Sequence, residues 1–269
     1  TILIENASNG SSSPTRRPAG EPIYHTIFND LNVTLISAEA TKAYNMSGYH
    51  ATDYAKLVNR QLAFIKPNTV IVYDHVITDE TKVTDLAIYS DLNLKDGMEH
   101  KRWVKIIQHL QQRPEIIDEQ QNIYKVTSEN THLIYHVVHP KNASVKIIDE
   151  KVLWKDAPIY QLPENQKKWQ LQVSSNFPST DNEFLTTFSF GNSSDVQLDD
   201  LNLESIKMTS DNSYIISGNV IGIAVNTNNQ KYIILFKRDP NEELSNIEII
   251  RPDGFDSAKI YCVGFDLNK

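Results

Sequence analysis

Two charged side chains sit inside apolar stripes. In Tyr54 to Ile77, YAKLVNRQLAFIKPNTVIVYDHVI, strand alternation places Arg60 on a face with Val58, Leu62 and Phe64, and Asp74 on a face with Val70, Val72 and Val76. A charge buried alone is costly, so each needs a partner. Pro-Asn within Lys66-Pro67-Asn68-Thr69 is turn chemistry, so the two runs are expected to form a hairpin. Turn length then selects the partner. A two-residue turn sets Arg60 opposite His75; a three-residue turn sets it on the face of Asp74, one step diagonal. Arg60 is expected to be at least half buried and within hydrogen-bond reach of Asp74 or His75. The pair reads either as a structural ion pair, Arg60 with Asp74, bracing a sheet, or as an arginine lining a groove for an acidic ligand.

Three histidines, His132, His136 and His139, crowd THLIYHVVHP and invite a metal reading. On a regular strand His132 and His136 point one way and His139 the other. The first two are then roughly 13 Å apart at ~3.3 Å per residue, too far to share an ion without a bend, so no metal site is assigned. His25, His50, His75, His100 and His109 are scattered singles. No GxSxG, Walker loop, GxGxxG or HExxH occurs. Asp199-Asp200 and Glu242-Glu243 lie in polar stretches and read as solvated, as does the Arg16-Arg17 pair. Trp103, Trp154 and Trp169 would stack on sugar rings if exposed; packing against a sheet is the plainer reading. Six Asn-x-Ser/Thr sequons in an Asn-rich chain do not by themselves indicate a secretory route.

The elements that position these residues are strands. Ile2 to Ile4, Ile23 to Phe28, Asn32 to Ser37, the central hairpin, Asp85 to Leu94 and His100 to Leu110 read as strands, the last despite helical spacing of its apolar residues. Asn122 to Thr127 pairs with Thr131 to His139 across Ser128-Glu129-Asn130. Val145 to Ile148, Trp169 to Ser174, Glu183 to Phe190, Leu203 to Met208, Tyr214 to Ser217, Val220 to Asn226, Lys231 to Lys237, Glu248 to Ile250 and Lys259 to Phe265 follow. Asn6 to Gly20 and Asn45 to Asp53 read as loops. Strands recur about every ten residues with no sustained helical period, the pattern of an all-β fold: a large antiparallel β-sandwich of two packed sheets with little helix and at least ten strands. One domain over residues 1–269 is expected, with a possible small subdomain from about 195 to 269.

At 269 residues and 40% hydrophobic content the chain can bury a sizeable core. A net charge of −8 argues against a general nucleic-acid or anionic-membrane binder, and no apolar run is long enough for a membrane helix. Thr1-Ile2-Leu3-Ile4 has neither a basic start nor a cleavage site and no initiator Met, so the chain reads as a piece of something longer. The single Cys262, in IYCVGF, excludes an intrachain disulfide and a Cys-based zinc site; it reads as a small buried hydrophobe.

Several segments resemble heparinase II/III-type polysaccharide lyases. TILIENASNG resembles a segment of that family. AYNMSGYHATDYAKLVNRQLAFIKPNTVIVYDHV resembles its pattern of a Tyr, an Arg-led strand and a strand ending in Asp, onto which Tyr44, Arg60 and Asp74 fall. WVKIIQHLQQRPEI, THLIYHVVHPKNASV and KKWQLQVSSNFPSTDNEFLTTF follow the family's C-terminal sheet segments in order, to about Phe190. The resemblance implies an N-terminal helical toroid joined to a β-sandwich that cleaves uronate polysaccharides by β-elimination. There a base removes the proton α to a neutralised carboxylate and a Tyr or His protonates the leaving oxygen. It places the catalytic residues, and the His and Asp ligands of a zinc ion, in the toroid and in an H-x-H-x-D-like stretch before the segment matching Thr1. No catalytic residue and no cofactor is therefore carried onto this chain.

The reading is the C-terminal β-sandwich of such a lyase, acting with its toroid on an acidic polysaccharide, with Arg60 and Tyr44 as candidate substrate-binding residues. A periplasmic or secreted location follows from the resemblance alone. The alternatives are a free-standing carbohydrate-binding module that grips glycan through exposed aromatics, and a purely structural sandwich.

Overall fold

The computed structural model describes residues 2–6, 12–13, 23–44, 55–78, 102–149, 168–192, 214–217, 220–227, 230–239 and 254–264. Within them the chain is almost entirely strand. The N-terminal part holds β1 (Ile2–Asn6), β2 (Ser12–Ser13), β3 (Ile23–Asn29), β4 (Val33–Glu39), a short 3-10 turn (Thr41–Tyr44), β5 (Ala55–Ile65) and β6 (Thr69–Thr78). The middle holds β7 (Arg102–Leu110), β8 (Glu115–Asp118), β9 (Ile123–Ser128), β10 (Thr131–His139), β11 (Ser144–Asp149), β12 (Trp169–Ser174) and β13 (Asp181–Asn192). The last are β14 (Tyr214–Ser217), β15 (Val220–Thr227), β16 (Gln230–Lys237) and β17 (Lys259–Val263).

An eight-stranded sheet, in the order β3-β4-β5-β6-β13-β10-β9-β8, forms the centre. A five-stranded sheet, β11-β12-β7-β1-β2, packs on one face. Their shared core includes Ile4, Val58, Val76, Val104, Ile106, Val137, Val173 and Phe184. These are the two packed antiparallel sheets expected from the strand spacing. A third sheet, β14-β15-β16-β17, packs on the opposite face and ends in a parallel pair, β16 with β17. Leu35, Ala63, Ile71, Tyr73, Leu185, Ile223, Ile234 and Phe236 fill that second core. Cover on both faces explains why β6 reads VIVYDHVI, almost without polar alternation: seven of its positions from Ile71 on are buried apart from Ile77.

The central hairpin forms with a three-residue turn, so Ile65 pairs with Thr69 and Arg60 pairs with Asp74. That corrects one expectation: the two charges are directly opposite, not diagonal, because an odd-numbered turn keeps the facing residues in register. Asn29-Asp30 is a turn as expected. The Asp30 carboxylate accepts from the backbone N–H of Asn32 (2.7 Å) and Val33 (2.6 Å) and from the Tyr261 hydroxyl (3.1 Å), and these donors hold its pKa below the usual value, the Val33 amide most strongly. The segment from His100 is a strand, since β7 is paired on both sides, with β1 and β12. Ser12–Ser13, read as loop, pairs with β1, and β8 had no counterpart in the alternation. The expected strands Asp85 to Leu94, Leu203 to Met208 and Glu248 to Ile250, the Arg16-Arg17 pair, the two acidic pairs and Trp154 lie outside the described residues.

One register shift changes which way a side chain points. Between Val137 and His139, β10 carries a bulge against β13. His132, His136 and His139 therefore pair with Gly191, Thr187 and Leu185, all on one face, whereas strict alternation turned His139 away. Among the described residues no three His, Cys, Asp or Glu side chains come close enough to hold a metal ion. No helix there is long and apolar enough to cross a membrane.

Candidate functional site

Tyr44, Arg60 and Asp74 converge on the face of the central sheet that meets the five-stranded sheet. Strand β5 presents Arg60 because that face of the strand, Val58 to Phe64, is only partly covered towards its Phe64 end. Arg60 Nε donates to Asp74 Oδ1 at 2.6 Å and Nη2 donates to Oδ2 at 2.9 Å, a bidentate fork. The Asp74 side chain is 1% exposed and that of Arg60 is 39% exposed. The pair thus spans from the core to the surface, with the guanidinium as its wet end. Burial alone would lower the arginine's pKa; the adjacent carboxylate overrides this and raises it.

Tyr44 reaches the same place from the 3-10 turn. Its hydroxyl donates to the carbonyl of Ile2 at 3.0 Å, stitching β1 to the turn that precedes β5. Burial pushes its pKa up to about 12, with Arg60 pulling it down and Asp74 adding to the rise. Near neutrality it is a phenol, a donor already engaged, and not a base. Tyr135 on β10 completes the cluster from the other side: burial keeps its hydroxyl above the ordinary phenol range, and its field includes both Asp74 and Arg60. The sequence reading had no place for Tyr135. Alternation marks it as core, and only the strand order brings β10 within reach of β6, through β13.

The chemistry open to this cluster is narrow. Asp74 neutralises Arg60, so the pair carries no net charge. What it offers outward are the remaining N–H groups of a half-buried, rigidly held guanidinium, which can donate to carboxylate, sulfate or hydroxyl oxygens. Beside it, the same sheet face emerges from under the five-stranded sheet. Tyr24 lies in the cross-strand row of Ala38 and Arg60 and is 60% exposed. Phe190, 39% exposed, stacks on Phe64 with ring centroids 6.4 Å apart. Alternation in IYHTIFN and FLTTFSF could have marked Tyr24 and Phe190, but not that these two positions are exposed, Tyr24 in the Arg60–Asp74 row and Phe190 near the hairpin turn. The tryptophans are elsewhere: Trp103 is half-buried, and Trp169 is half-buried with the Arg113 guanidinium 5.5 Å above its ring.

The chain matches no family model and no curated protein sequence. Among solved structures it is similar to a heparan sulfate lyase, HepC, from Pedobacter heparinus, at 9% identity and a TM-score of 0.49 over 83% of this chain and 29% of that one. It is also similar to heparinase III, at 11% identity and a TM-score of 0.45 over 80% of this chain and 27% of that one. The chain spans less than a third of the length of these structures.

Proposed function

We propose that this chain is the β-sandwich part of a heparinase II/III-like polysaccharide lyase, working beside a helical toroid on uronate-containing glycans. The observation that carries the reading is the convergence of Tyr44, Arg60 and Asp74. These three residues fall on one family pattern in the sequence, and they meet in one cluster on one sheet face. In this reading the Arg60–Asp74 fork sets the edge of the cleft wall, and Arg60 offers N–H donors to an acidic sugar, while Tyr44 fixes the turn that frames it. β-Elimination needs a base, a proton donor and a carboxylate neutraliser converging on one sugar, and misplacing one by about 1 Å can cost on the order of a hundredfold in rate. The sandwich contributes a wall, and the elimination chemistry comes from outside it.

The test compares this chain with the full-length product of its gene. Each is incubated with heparan sulfate, hyaluronan, chondroitin and alginate, and the ultraviolet absorbance of unsaturated uronate is followed. Absorbance growth from the full-length protein and none from the isolated chain is the expected result. Full-length protein inert towards every uronate polymer would overturn the reading.

The open aromatic positions favour a second reading, a carbohydrate-binding module. If it holds, the isolated chain binds glycan in calorimetry, and Tyr24→Ala or Phe190→Ala weakens binding severalfold, the loss of an aromatic contact worth about 1 kcal/mol.

A further inference from the structure

On the opposite face of the central sheet, His75 is held between two oxygen acceptors. Its Nδ1 lies 2.8 Å from the backbone carbonyl oxygen of Arg238, and its Nε2 lies 2.8 Å from Asp181 Oδ1. A carbonyl oxygen can only accept, so Nδ1 must carry a proton. In a neutral imidazole Nε2 would then aim its lone pair at a carboxylate. Only the imidazolium, a donor at both nitrogens, satisfies both contacts. His75 itself is 5% exposed, so water does not stand in for either partner.

The two acceptors belong to different sheets. Asp181 opens β13, next to β6 in the central sheet. Arg238 directly follows β16, in the four-stranded sheet. The ring therefore bridges the sheets at one edge of their common core.

The surrounding charges agree. From β13, Glu183 sits opposite His75 in the ladder; it accepts from the Tyr73 hydroxyl at 2.5 Å and from Arg238 Nη2 at 2.9 Å, and forms an ion pair with the same guanidinium. From β5, the residue opposite His75 is the neutral Asn59. From β10, His139 lies in the field of Glu183 and Arg238, and burial lowers its pKa, so near neutrality it brings no charge. Of the two carboxylates nearest the ring, Glu183 is paired with Arg238, and Asp181, its side chain 65% exposed, is the one His75 meets directly.

We propose that His75 is a pH-operated clasp that ties the Arg238 end of β16 to the central sheet when protonated and loosens that edge when it loses the proton. The proposal stands independently of the lyase reading. Its sign follows from linkage. The hydrogen bonds to Asp181 and to the Arg238 carbonyl outweigh burial and raise the His75 pKa. The stabilisation is fully present below the unfolded-state histidine value and is lost as pH rises through the raised one. The partner sets the lower limit: its bond to His75 holds the Asp181 pKa down, so that contact fails only as pH falls through the lowered carboxylate value. The clasp is closed between the lowered Asp181 value and the raised His75 value.

The experiment is a nitrogen-resolved NMR titration of the His75 ring in the intact chain, with amide exchange across β16, from about pH 5 to about pH 9. Both ring nitrogens protonated near neutrality, titration above the ordinary histidine value, and an acceleration of exchange at the Arg238 end of β16, beyond the intrinsic base dependence and following that titration, are expected. Asp181→Asn keeps an acceptor and removes its charge; it should move the His75 titration to lower pH. A neutral His75 ring near pH 7, or β16 exchange indifferent to its titration, would overturn the proposal. The wild-type titration decides the matter even if a variant fails to fold.

Discussion

Arg60 and Asp74 form one ion pair with unequal ends, and the inequality sets what each substitution does. Replacing Arg60 by Met strands a carboxylate whose side chain is 1% exposed. Loss of about 3–5 kcal/mol is expected, the range for breaking a buried pair on one side. Replacing Asp74 by Asn leaves Arg60 with water along its exposed end, and about 1–3 kcal/mol is expected. Urea unfolding of both variants checks the order; equal losses would mean that the guanidinium has no usable access to solvent. Tyr44→Phe removes the donor to the Ile2 carbonyl without changing the packing volume much. A loss of about 1–2 kcal/mol in the same assay is expected for the orphaned buried acceptor.

At the scale of elements, register and backbone conformation decide more than composition does. The bulge in β10 re-aims His139 and places it among Glu183 and Arg238. Gly264, just past β17, has φ of +83°, and a Cβ there would lie 3.0 Å from Gln61 Oε1 and 3.1 Å from Lys237 Cβ. Those neighbours are themselves fixed, because the Gln61 amide donates to the Lys237 carbonyl, tying β5 to the end of β16. Gly264→Ala should therefore cost about 1–3 kcal/mol through left-handed backbone strain and crowding together. A thermal midpoint unchanged by the substitution would show that the segment after β17 is free to move aside.

Across the whole molecule, the central sheet is the shared wall of two cores. Ile234 on β16 and Ile71 on β6 are both fully buried in the same cluster. The four-stranded sheet cannot separate without exposing the apolar face of the central one, so calorimetry is expected to show these two sheets unfolding in a single transition. Ile234→Ala should lower that transition as a unit, with a loss of about 2–5 kcal/mol. Two resolved transitions, only one of them moved by the substitution, would mean that the last sheet is a separate folding unit.

What the sequence determined by itself was local. Alternation with a period of two is written residue by residue, so most of the described strands, the central hairpin, the Asn29-Asp30 turn and the need of Arg60 for a partner were legible, whereas β2 and β8, too short to alternate, were not. The partner was legible as Asp74 or His75, because a turn of a few residues links the strands, and the three-residue turn of the folded hairpin made it Asp74. The relations that tertiary structure alone decided join distant stretches. No local pattern places Asp181 and Arg238 on either side of His75, or a third sheet against the second face of β6. A bulge adds one residue to a strand and reverses every face assignment beyond it, and composition does not mark where that happens. Backbone hydrogen bonds in a sheet are indifferent to which residues make them. Partner choice is therefore set by which packing buries the most apolar surface across all three sheets together, a property of the assembled molecule.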